Sequence, residues 1–225
     1  MKLTVYDCTR PFAAVALRFL CRYEFRNRKR KLPDGPLIMV SNHLSWFDIP
    51  LIGVAIPRQI AFMAKKEYFH SRFHRHLVDL YGGFTVERGA VDGTALKTAF
   101  DILDEGGCLG IFPEGTRSKS LQLQQGHVGT AFIALHKNAY ILPIGVSGTE
   151  NIRDKFQGIT KIFYRPKVVV NIGEPFRLPD VHGHPSRQDR DRSTDIIMRN
   201  IADLLPESYR GVYRDRDNAN ADKKD

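Results

Sequence analysis

A histidine and an aspartate separated by four residues, His43 and Asp48, follow directly on the largely apolar segment 37–41. We expect that segment to be a buried strand, and α/β proteins place reactive groups just beyond the ends of such strands. If the chain turns there from strand into helix, the carboxylate can hold one ring nitrogen of the imidazole and raise the basicity of the other. Taken alone, such a pair is more often a helix cap followed by an ordinary first-turn acid.

A nucleophile of the Gly-x-Ser-x-Gly type is absent from the sequence. The hydroxyl that a His–Asp pair would activate could therefore belong to a substrate. His43 would then act as a general base on an acceptor alcohol, and the alcohol would attack an acyl donor directly.

A second stretch with chemical potential, residues 112–118, reads Phe-Pro-Glu-Gly-Thr-Arg-Ser and also follows a predicted strand. A loop that contains glycine at a strand end frees backbone N–H groups to face an anion. Arg117 adds a planar, permanently charged donor fork that suits phosphate. Taken alone, this stretch could equally be a structural turn with a surface arginine.

Together the two stretches resemble the motifs of the glycerolipid acyltransferase family, which includes the lysophosphatidate acyltransferases. Its first motif is His-x4-Asp, and its third is matched at every position of 112–118. The second motif is similar to Gly-Gly-Phe-Thr-Val-Glu-Arg at 82–88, and the fourth to Ile-Leu-Pro-Ile-Gly at 141–145. The family's Ala-Lys-x-Glu element is found at 64–67. The order is that of the family, and the resemblance spans about half of the chain.

The resemblance implies a role for each matching residue. His43 is the catalytic base that deprotonates the acceptor hydroxyl, and Asp48 orients and charge-stabilises it. The residues assigned to the acceptor phosphate are Arg88, Arg117 and Lys65, and those assigned to the active-site loop are Glu114, Gly115 and Thr116. For Glu114, tying down the loop and contacting the substrate are equally open.

The same resemblance implies acyl transfer from acyl-CoA or acyl carrier protein to lysophosphatidic acid, which gives phosphatidic acid in phospholipid biosynthesis. The thioester is a co-substrate, and no metal or other cofactor is expected. His70 and His74 have a metal-like spacing but no obvious third ligand. Glycerol-3-phosphate or another lysolipid is the alternative acceptor, because the motifs do not reveal how an acceptor acyl chain is housed.

Net charge and cysteine content indicate which partners the protein binds and where it is located. The formal net charge of +9 suits an anionic partner such as a membrane, nucleic acid or a phosphorylated substrate. Three scattered cysteines favour a reducing, cytosol-facing location. The basic run 26–31 has no aromatic platform and no nucleic-acid module beside it, so we expect no nucleic acid as partner. A non-catalytic basic protein that binds membrane or nucleic acid is the alternative of another class.

Alternating strand and helix patterns predict an α/β fold: one domain with a mixed, mostly parallel β-sheet flanked by helices, and an N-terminal amphipathic helix. Strands are predicted at 37–41, 60–64, 83–86, 108–112, 140–145 and 167–172. Helices are predicted at 46–55, after the strand 60–64 as far as residue 80, and at 93–105, 126–137 and 194–205. Residues 182–192 are rich in breakers and predict a surface loop. We divide the chain into an N-terminal segment 1–32, an acyltransferase domain 33–213 and a flexible polar tail 214–225.

The N-terminal segment is predicted to bind the membrane. Apolar residues recur at helical spacing from Phe12 to Tyr23, and residues 22–31 hold six basic side chains against one acid. The stripe is too short to span a bilayer but suits a helix that lies in the interface. We therefore expect a peripheral protein on the cytoplasmic face of the cell membrane. The alternative is that this stripe packs on the α/β core.

Overall fold

Strands and helices alternate along most of the chain in the computed structural model, which describes residues 5–65, 84–86, 93–156, 164–181 and 183–214. In chain order the elements are α1 (Val5–Leu20), β1 (Arg22–Arg26), β2 (Leu37–Ser41), α2 (Asp48–Ala55), β3 (Ile60–Lys65), β4 (Phe84–Val86), α3 (Gly93–Asp104), β5 (Cys108–Ile111), α4 (Gly129–Lys137), β6 (Tyr140–Ser147), a 3-10 helix (Thr149–Phe156), β7 (Lys167–Ile172), α5 (Arg187–Ala202) and two short 3-10 turns (Glu207–Tyr209 and Gly211–Tyr213). The predicted alternation is confirmed.

The described strands form one seven-stranded sheet with the order β1-β7-β6-β2-β5-β3-β4. β6 and β7 pair antiparallel, and the other neighbouring strands pair parallel. The predicted single α/β domain with a mixed, mostly parallel sheet is therefore confirmed. Because of these strand directions, the carboxyl ends of β2, β3, β5 and β6 lie together at one edge of the sheet, the edge formed by strand ends. The amino ends of β7 and β1 lie at the same edge. We call this edge the carboxyl edge.

The central strand β2 is buried on both faces, as expected of a parallel sheet covered by helices. Leu37 and Met39 pack into a core with α1 and α2, while Ile38 and Val40 pack into a second core with α3, α4 and α5. This alternation explains why β2 reads as a continuous apolar run. It also fixes the register of β2, since a slip by one residue would exchange the two cores.

The sheet begins earlier in the chain than the sequence pattern suggested. α1 ends at Leu20, and Arg22–Arg26 forms the edge strand β1, which pairs with β7 from Arg22↔Lys167 onward. Its charged residues were read as part of a basic segment that follows the helix. An edge strand tolerates them because part of its surface faces water. The sheet thus includes residues 22–26, which our division of the chain assigned to the N-terminal segment.

The last helix also begins earlier than predicted. The prediction of a loop over 182–192 is wrong for Arg187–Arg192, which is the first part of α5. Ser186 caps this helix: its Oγ accepts the N–H of Asp189 at 3.1 Å, and the Asp189 carboxylate accepts the N–H of Ser186 at 2.9 Å. A reciprocal cap of this kind stabilises a polar first turn, and such a turn is easily mistaken for a loop. The predicted helix up to residue 80 and nearly all of the polar tail lie outside the described residues.

Candidate active site

His43 and Asp48 lie at the carboxyl edge, where the chain leaves β2 and enters α2. The Nδ1 atom of His43 is 2.8 Å from Oδ2 of Asp48. The Asp48 side chain is fully buried, whereas 14% of the His43 side chain is exposed. The predicted convergence of the two side chains is therefore found. With Nδ1 bonded to the carboxylate, Nε2 is the ring atom that can accept a proton.

The Asp48 carboxylate is held by hydrogen bonds on both oxygens. Oδ2 accepts the backbone N–H groups of Leu44 at 2.7 Å and Ser45 at 2.8 Å, in addition to the histidine. Oδ1 accepts the hydroxyl of the buried Thr149 at 2.6 Å. Asp48 is also the first residue of α2, where the helix dipole favours a negative charge. These hydrogen bonds keep the carboxylate fixed in position.

Thr149 reaches Asp48 because the chain turns sharply after β6. Gly148 has φ +88°, and a Cβ atom placed on it would lie 2.2 Å from the carbonyl oxygen of Lys167. Glycine is required at this turn for both reasons. The turn brings the hydroxyl of the next residue, more than a hundred positions from Asp48 in sequence, against the carboxylate.

The 112–118 loop follows β5 and binds the backbone of His43 at two points. The backbone N–H of His43 donates to Oε1 of Glu114 at 2.9 Å, and its carbonyl accepts the N–H of Ser118 at 2.8 Å. The two motifs that the sequence singled out are thus joined through the backbone of His43.

Glu114 is a structural carboxylate in this arrangement. Its second oxygen, Oε2, accepts the backbone N–H of Gln124 at 2.9 Å. Only 2% of the residue is exposed, and this burial raises the pKa of Glu114 to about 7, against the lowering effect of the two backbone donors. Of the two roles left open by the sequence, these contacts support the one that ties down the loop.

The two residues after Glu114 differ in how tightly the structure restricts the choice of side chain. Gly115 has φ +65°, and a Cβ atom on it would come within 2.9 Å of the His127 ring. It therefore permits both the turn and the close approach of that ring. Thr116 is exposed, and no described contact connects it to the dyad.

The ring of His43 stacks on Phe112, with centroids 4.0 Å apart and planes 16° from parallel. Phe112 in turn stacks on Phe62 of β3, with centroids 5.9 Å apart. Phe112 thus covers one face of the imidazole and is itself backed by Phe62. This contact restricts rotation of the His43 ring, which Asp48 also holds by its hydrogen bond. The sequence marked Phe112 only as part of a motif and gave it no role.

Of the three residues assigned to the acceptor phosphate, the structure describes the side chain of one. Arg117 is half-buried, and its guanidinium lies over the ring of Trp46, 4.9 Å from the centroid; Trp46 stands between His43 and Asp48 in the sequence. Contact of this kind between a guanidinium and an aromatic face helps to hold the side chain in position. The backbone of Lys65 ends β3 at the carboxyl edge, but its side chain and the whole of Arg88 lie outside the described residues.

Asn42 is a further residue at this site that sequence reasoning missed. Its side chain exchanges two hydrogen bonds of 2.8 Å with the backbone of Val146, one to the carbonyl and one from the N–H. This pair joins the end of β2 to β6 just before the dyad. A polar residue directly after an apolar strand was the only available signal, because its partner lies far away in sequence.

The described residues contain no group of three or more His, Cys, Asp or Glu side chains placed to hold a metal ion. His70 and His74 lie outside these residues. The expected independence of metal therefore stays a prediction. The described geometry provides a histidine–carboxylate pair able to remove a proton from a hydroxyl, bound through the histidine backbone to the loop that carries Arg117.

The family model of the acyltransferases matches residues 22–147, more than half of the chain. A 1-acyl-sn-glycerol-3-phosphate acyltransferase of Bacillus subtilis is 31% identical over 179 residues, which cover 78% of this chain and 85% of that relative. A lyso-ornithine lipid O-acyltransferase of Pseudomonas aeruginosa is 31% identical over 116 residues, which cover 51% of this chain and 44% of that relative.

A solved structure supports the same relationship. The 1-acyl-sn-glycerophosphate (LPA) acyltransferase PlsC from Thermotoga maritima is similar with a TM-score of 0.67 and 25% identity, over 88% of this chain and 79% of that chain. The region matched by the family model includes both His43 and Asp48 and the 112–118 loop. The chain belongs to the acyltransferase family.

Proposed function

We propose that this protein transfers a fatty acyl group from a thioester to the free hydroxyl of lysophosphatidic acid, producing phosphatidic acid. The observation that carries the proposal is the His43–Asp48 pair, bound through the histidine backbone to a loop that presents Arg117. A base and an anion-binding group side by side suit an acceptor that carries both a hydroxyl and a phosphate. The Bacillus subtilis relative is named for this acceptor.

In the first step, Nε2 of His43 takes the proton of the acceptor hydroxyl while its oxygen attacks the thioester carbonyl carbon. The buried Asp48 carboxylate stabilises the imidazolium that forms. The tetrahedral intermediate then collapses with cleavage of the carbon–sulfur bond. The leaving thiolate recovers the proton from His43, so the products are an ester and a free thiol, and the enzyme returns to its starting state.

Arg117 is proposed to bind the acceptor phosphate through paired, charge-assisted hydrogen bonds. Arg88 and Lys65 are proposed to share this role, with Thr116 at the rim of the loop. The distance between hydroxyl and phosphate in a glycerophosphate is short, so holding the phosphate at Arg117 would place the hydroxyl near the dyad. Orientation of this kind accounts for a large part of the rate gain in reactions between two bound groups.

The identity of the acceptor is the finer part of the proposal. Glycerol-3-phosphate carries the same phosphate and hydroxyl but no acyl chain. The Pseudomonas aeruginosa relative is named for a lyso-ornithine lipid, so related chains accept a different headgroup. We favour lysophosphatidic acid because Arg117 has a donor fork suited to phosphate, which an ornithine headgroup lacks, and because the Bacillus subtilis relative is named for an acylated glycerol phosphate. The proposed donor is acyl-CoA or acyl carrier protein; both are anionic, and the chain carries a net charge of +9.

The protein is further proposed to work as a peripheral protein at the cytoplasmic face of the membrane. One face of α1 is apolar and exposed, with Phe12 78%, Val15 59% and Phe19 72% exposed. Its opposite face packs on the core through Leu17. Among the helices that the structure describes, none has the length and apolarity needed to cross a bilayer. An apolar face left in water by an otherwise packed helix suits docking in the interface.

The test is an assay of the purified protein with lysophosphatidic acid, glycerol-3-phosphate and lyso-ornithine lipid. Each acceptor is offered with CoA and with carrier-protein thioesters, and the lipid product is identified. We expect phosphatidic acid to form with release of free thiol, and kcat/KM to be highest for lysophosphatidic acid. Preference for either other acceptor would contradict the proposed substrate. Absence of thiol release with all three would contradict acyl transfer.

A further inference from the structure

A surface pocket of about 560 Å³ lies where α1 meets β1, apart from the dyad. It is lined by three arginines and three apolar or aromatic residues: Val15, Arg18, Phe19, Arg22, Tyr23 and Arg165. We call it the arginine pocket. Among these lining residues none is acidic, so the pocket concentrates positive charge that its own walls do not neutralise.

The arginines are held in place mainly by backbone groups. The Arg165 guanidinium donates to the carbonyl oxygens of Arg18 and Cys21 at the end of α1. The Nε of Arg22 donates to the Arg165 carbonyl at 3.2 Å. The Arg18 guanidinium lies 6.0 Å from the centroid of the Tyr23 ring. These contacts orient the three side chains and leave their charges without a carboxylate in the pocket.

Glu24, the acidic residue of β1, forms its ion pairs with residues that do not line the arginine pocket. Glu24 is 2.7 Å from Arg26 and 3.2 Å from Lys167, and these two cations hold its pKa below the usual value. The basic run that follows β1 is partly neutralised as well, because Arg30 pairs with Glu174 at 2.7 Å. Within the run 22–31, the ion pairs of Arg26 and Arg30 reduce the free positive charge, while Arg22 lines the arginine pocket together with two arginines from other segments.

The pocket opens at the same edge of the sheet as the dyad. Arg22 begins β1 beside Lys167, the first residue of β7, and Lys167 lies against the turn at Gly148. The next residue in the chain, Thr149, contacts Asp48. From β1 to β2 there are three strand spacings, roughly 14 Å along the sheet.

The apolar members of the pocket continue the exposed face of α1. Val15 and Phe19 line the pocket and are largely exposed, and Phe12 lies on the same face, about one helical turn before Val15 and about two before Phe19. An anion that enters this pocket is therefore next to apolar surface. This combination is that of a membrane lipid, which has an anionic headgroup and acyl chains. A membrane lipid offers both partners in one molecule, and the same exposed face of α1 already suits docking in the membrane interface.

We propose that the arginine pocket binds the headgroup phosphate of an anionic membrane lipid while Phe12, Val15 and Phe19 enter the acyl layer. This inference rests on the proposed membrane function. It adds a headgroup site that is separate from the acceptor phosphate site at Arg117. A lipid bound there would seat the carboxyl edge on the membrane, so that the dyad faces the source of its lysolipid substrate.

The test compares two variants of equal charge in the full-length protein. Arg18→Gln/Arg22→Gln removes two charges from the pocket and keeps Arg165, which holds the end of α1. Arg187→Gln/Arg192→Gln removes two exposed charges from α5 and is the matched control. Binding is measured to phosphatidylcholine vesicles with and without phosphatidylglycerol. Thermal unfolding and turnover of a short-chain soluble acceptor report whether each variant is folded and competent.

We expect the pocket variant to bind phosphatidylglycerol vesicles roughly tenfold or more weakly, since each near-surface charge contributes strongly to binding of an anionic leaflet. Binding to pure phosphatidylcholine vesicles, which should be weaker for every protein tested, is expected to be the same for the variant and the parent. The unfolding midpoint and the turnover of the soluble acceptor should also be unchanged. The control should bind both kinds of vesicle like the parent.

Three results would overturn the proposal. If both variants lose anionic binding equally, net charge alone is responsible. If the pocket variant binds vesicles normally, the headgroup lies elsewhere. If it binds vesicles normally but shows a raised KM for the CoA or carrier-protein thioester, the pocket serves the donor. Vesicle binding does not require catalysis, so failure of the proposed acyl transfer would be seen separately, as absence of thiol release by the parent protein.

Discussion

The backbone N–H of His43 donates to the carboxylate of Glu114 across 2.9 Å. This hydrogen bond joins the end of β2, which carries the catalytic base, to the loop after β5, which carries Arg117. The carboxylate is buried, and its other oxygen is bound by the N–H of Gln124. Glu114 therefore ties His43, the proposed base, to the loop that carries Arg117, the proposed phosphate ligand.

Because the pKa of Glu114 is raised, the contribution of this residue to the free energy of unfolding should depend on pH. Burial raises that pKa from 4.5 to about 7, so between these values the folded protein holds more protons at this site than the unfolded chain. The contribution of Glu114 to the free energy of unfolding should then fall, by about 3 kcal/mol, as pH rises through this window. We expect Glu114→Gln, which does not titrate, to lack this fall.

The measurement is denaturant unfolding of parent and Glu114→Gln protein at a series of pH values. The difference in free energy of unfolding, parent minus variant, should decrease from acid to neutral pH and level off above about 7. A difference that is constant across this window would show that Glu114 titrates normally and that its burial costs little.

Thr149 should matter to the rate through Asp48. Thr149→Val keeps the shape of the side chain and removes the hydroxyl that donates to Oδ1 of Asp48 at 2.6 Å. Hydrogen bonds to charged groups contribute roughly 1.5–3 kcal/mol, so we expect kcat to fall by about tenfold or more with little change in acceptor KM. Thr149→Ser retains the hydroxyl and should restore most of the rate.

Steady-state kinetics and the pH dependence of kcat distinguish positioning from simple packing. A positioning role predicts a pH profile that is displaced in Thr149→Val and returns toward that of the parent in Thr149→Ser. If the two variants lose activity equally, with pH profiles that overlay the parent's, Thr149 fills space and does not position the carboxylate.

Arg117→Lys should raise the acceptor KM more than the donor KM. Lysine keeps the positive charge, but it cannot form the paired hydrogen bonds of a guanidinium or stack as a plane on Trp46. The kinetics are measured with lysophosphatidic acid and with the thioester, each varied in turn. An equal rise in both KM values would assign Arg117 a structural role.

Chelation should leave turnover unchanged. The nucleophile is an alcohol activated by His43, and the thiolate leaves without the help of a Lewis acid. The assay is repeated after treatment with EDTA and dialysis, with zinc added back in a parallel sample. Loss of activity that zinc restores would show that a metal is needed, and His70 and His74 would be the first ligands to examine.

Local patterns in the sequence were sufficient for most of the sheet and for the catalytic pair. β2 reads as an apolar run, and His43 and Asp48 are close enough in sequence for one turn to bring them together. β1 was missed because its alternation depends on Tyr23 and Phe25 alone, and Tyr23 also fits the helical spacing of the apolar stripe before it. The contact of Thr149 with Asp48 and that of Asn42 with Val146 could not be foreseen, because each joins residues about a hundred positions apart.

The early start of α5 illustrates a different limit. Its first turn is polar, so hydrophobic periodicity does not mark it, and only the reciprocal cap between Ser186 and Asp189 fixes where the helix begins. The role of Glu114 had a similar outcome. The motif identified the residue, but only the structure shows that both oxygens bind backbone N–H groups.

The central claim is that His43 is the general base for acyl transfer from a thioester to lysophosphatidic acid, and His43→Ala tests it most directly. The variant is purified, its fold is checked by circular dichroism and thermal unfolding, and phosphatidic acid formation and thiol release are measured beside the parent protein. Loss of a positioned base should lower kcat by about 10²–10⁴-fold while the fold is retained. A folded His43→Ala protein that turns over at close to the parent rate would contradict the account.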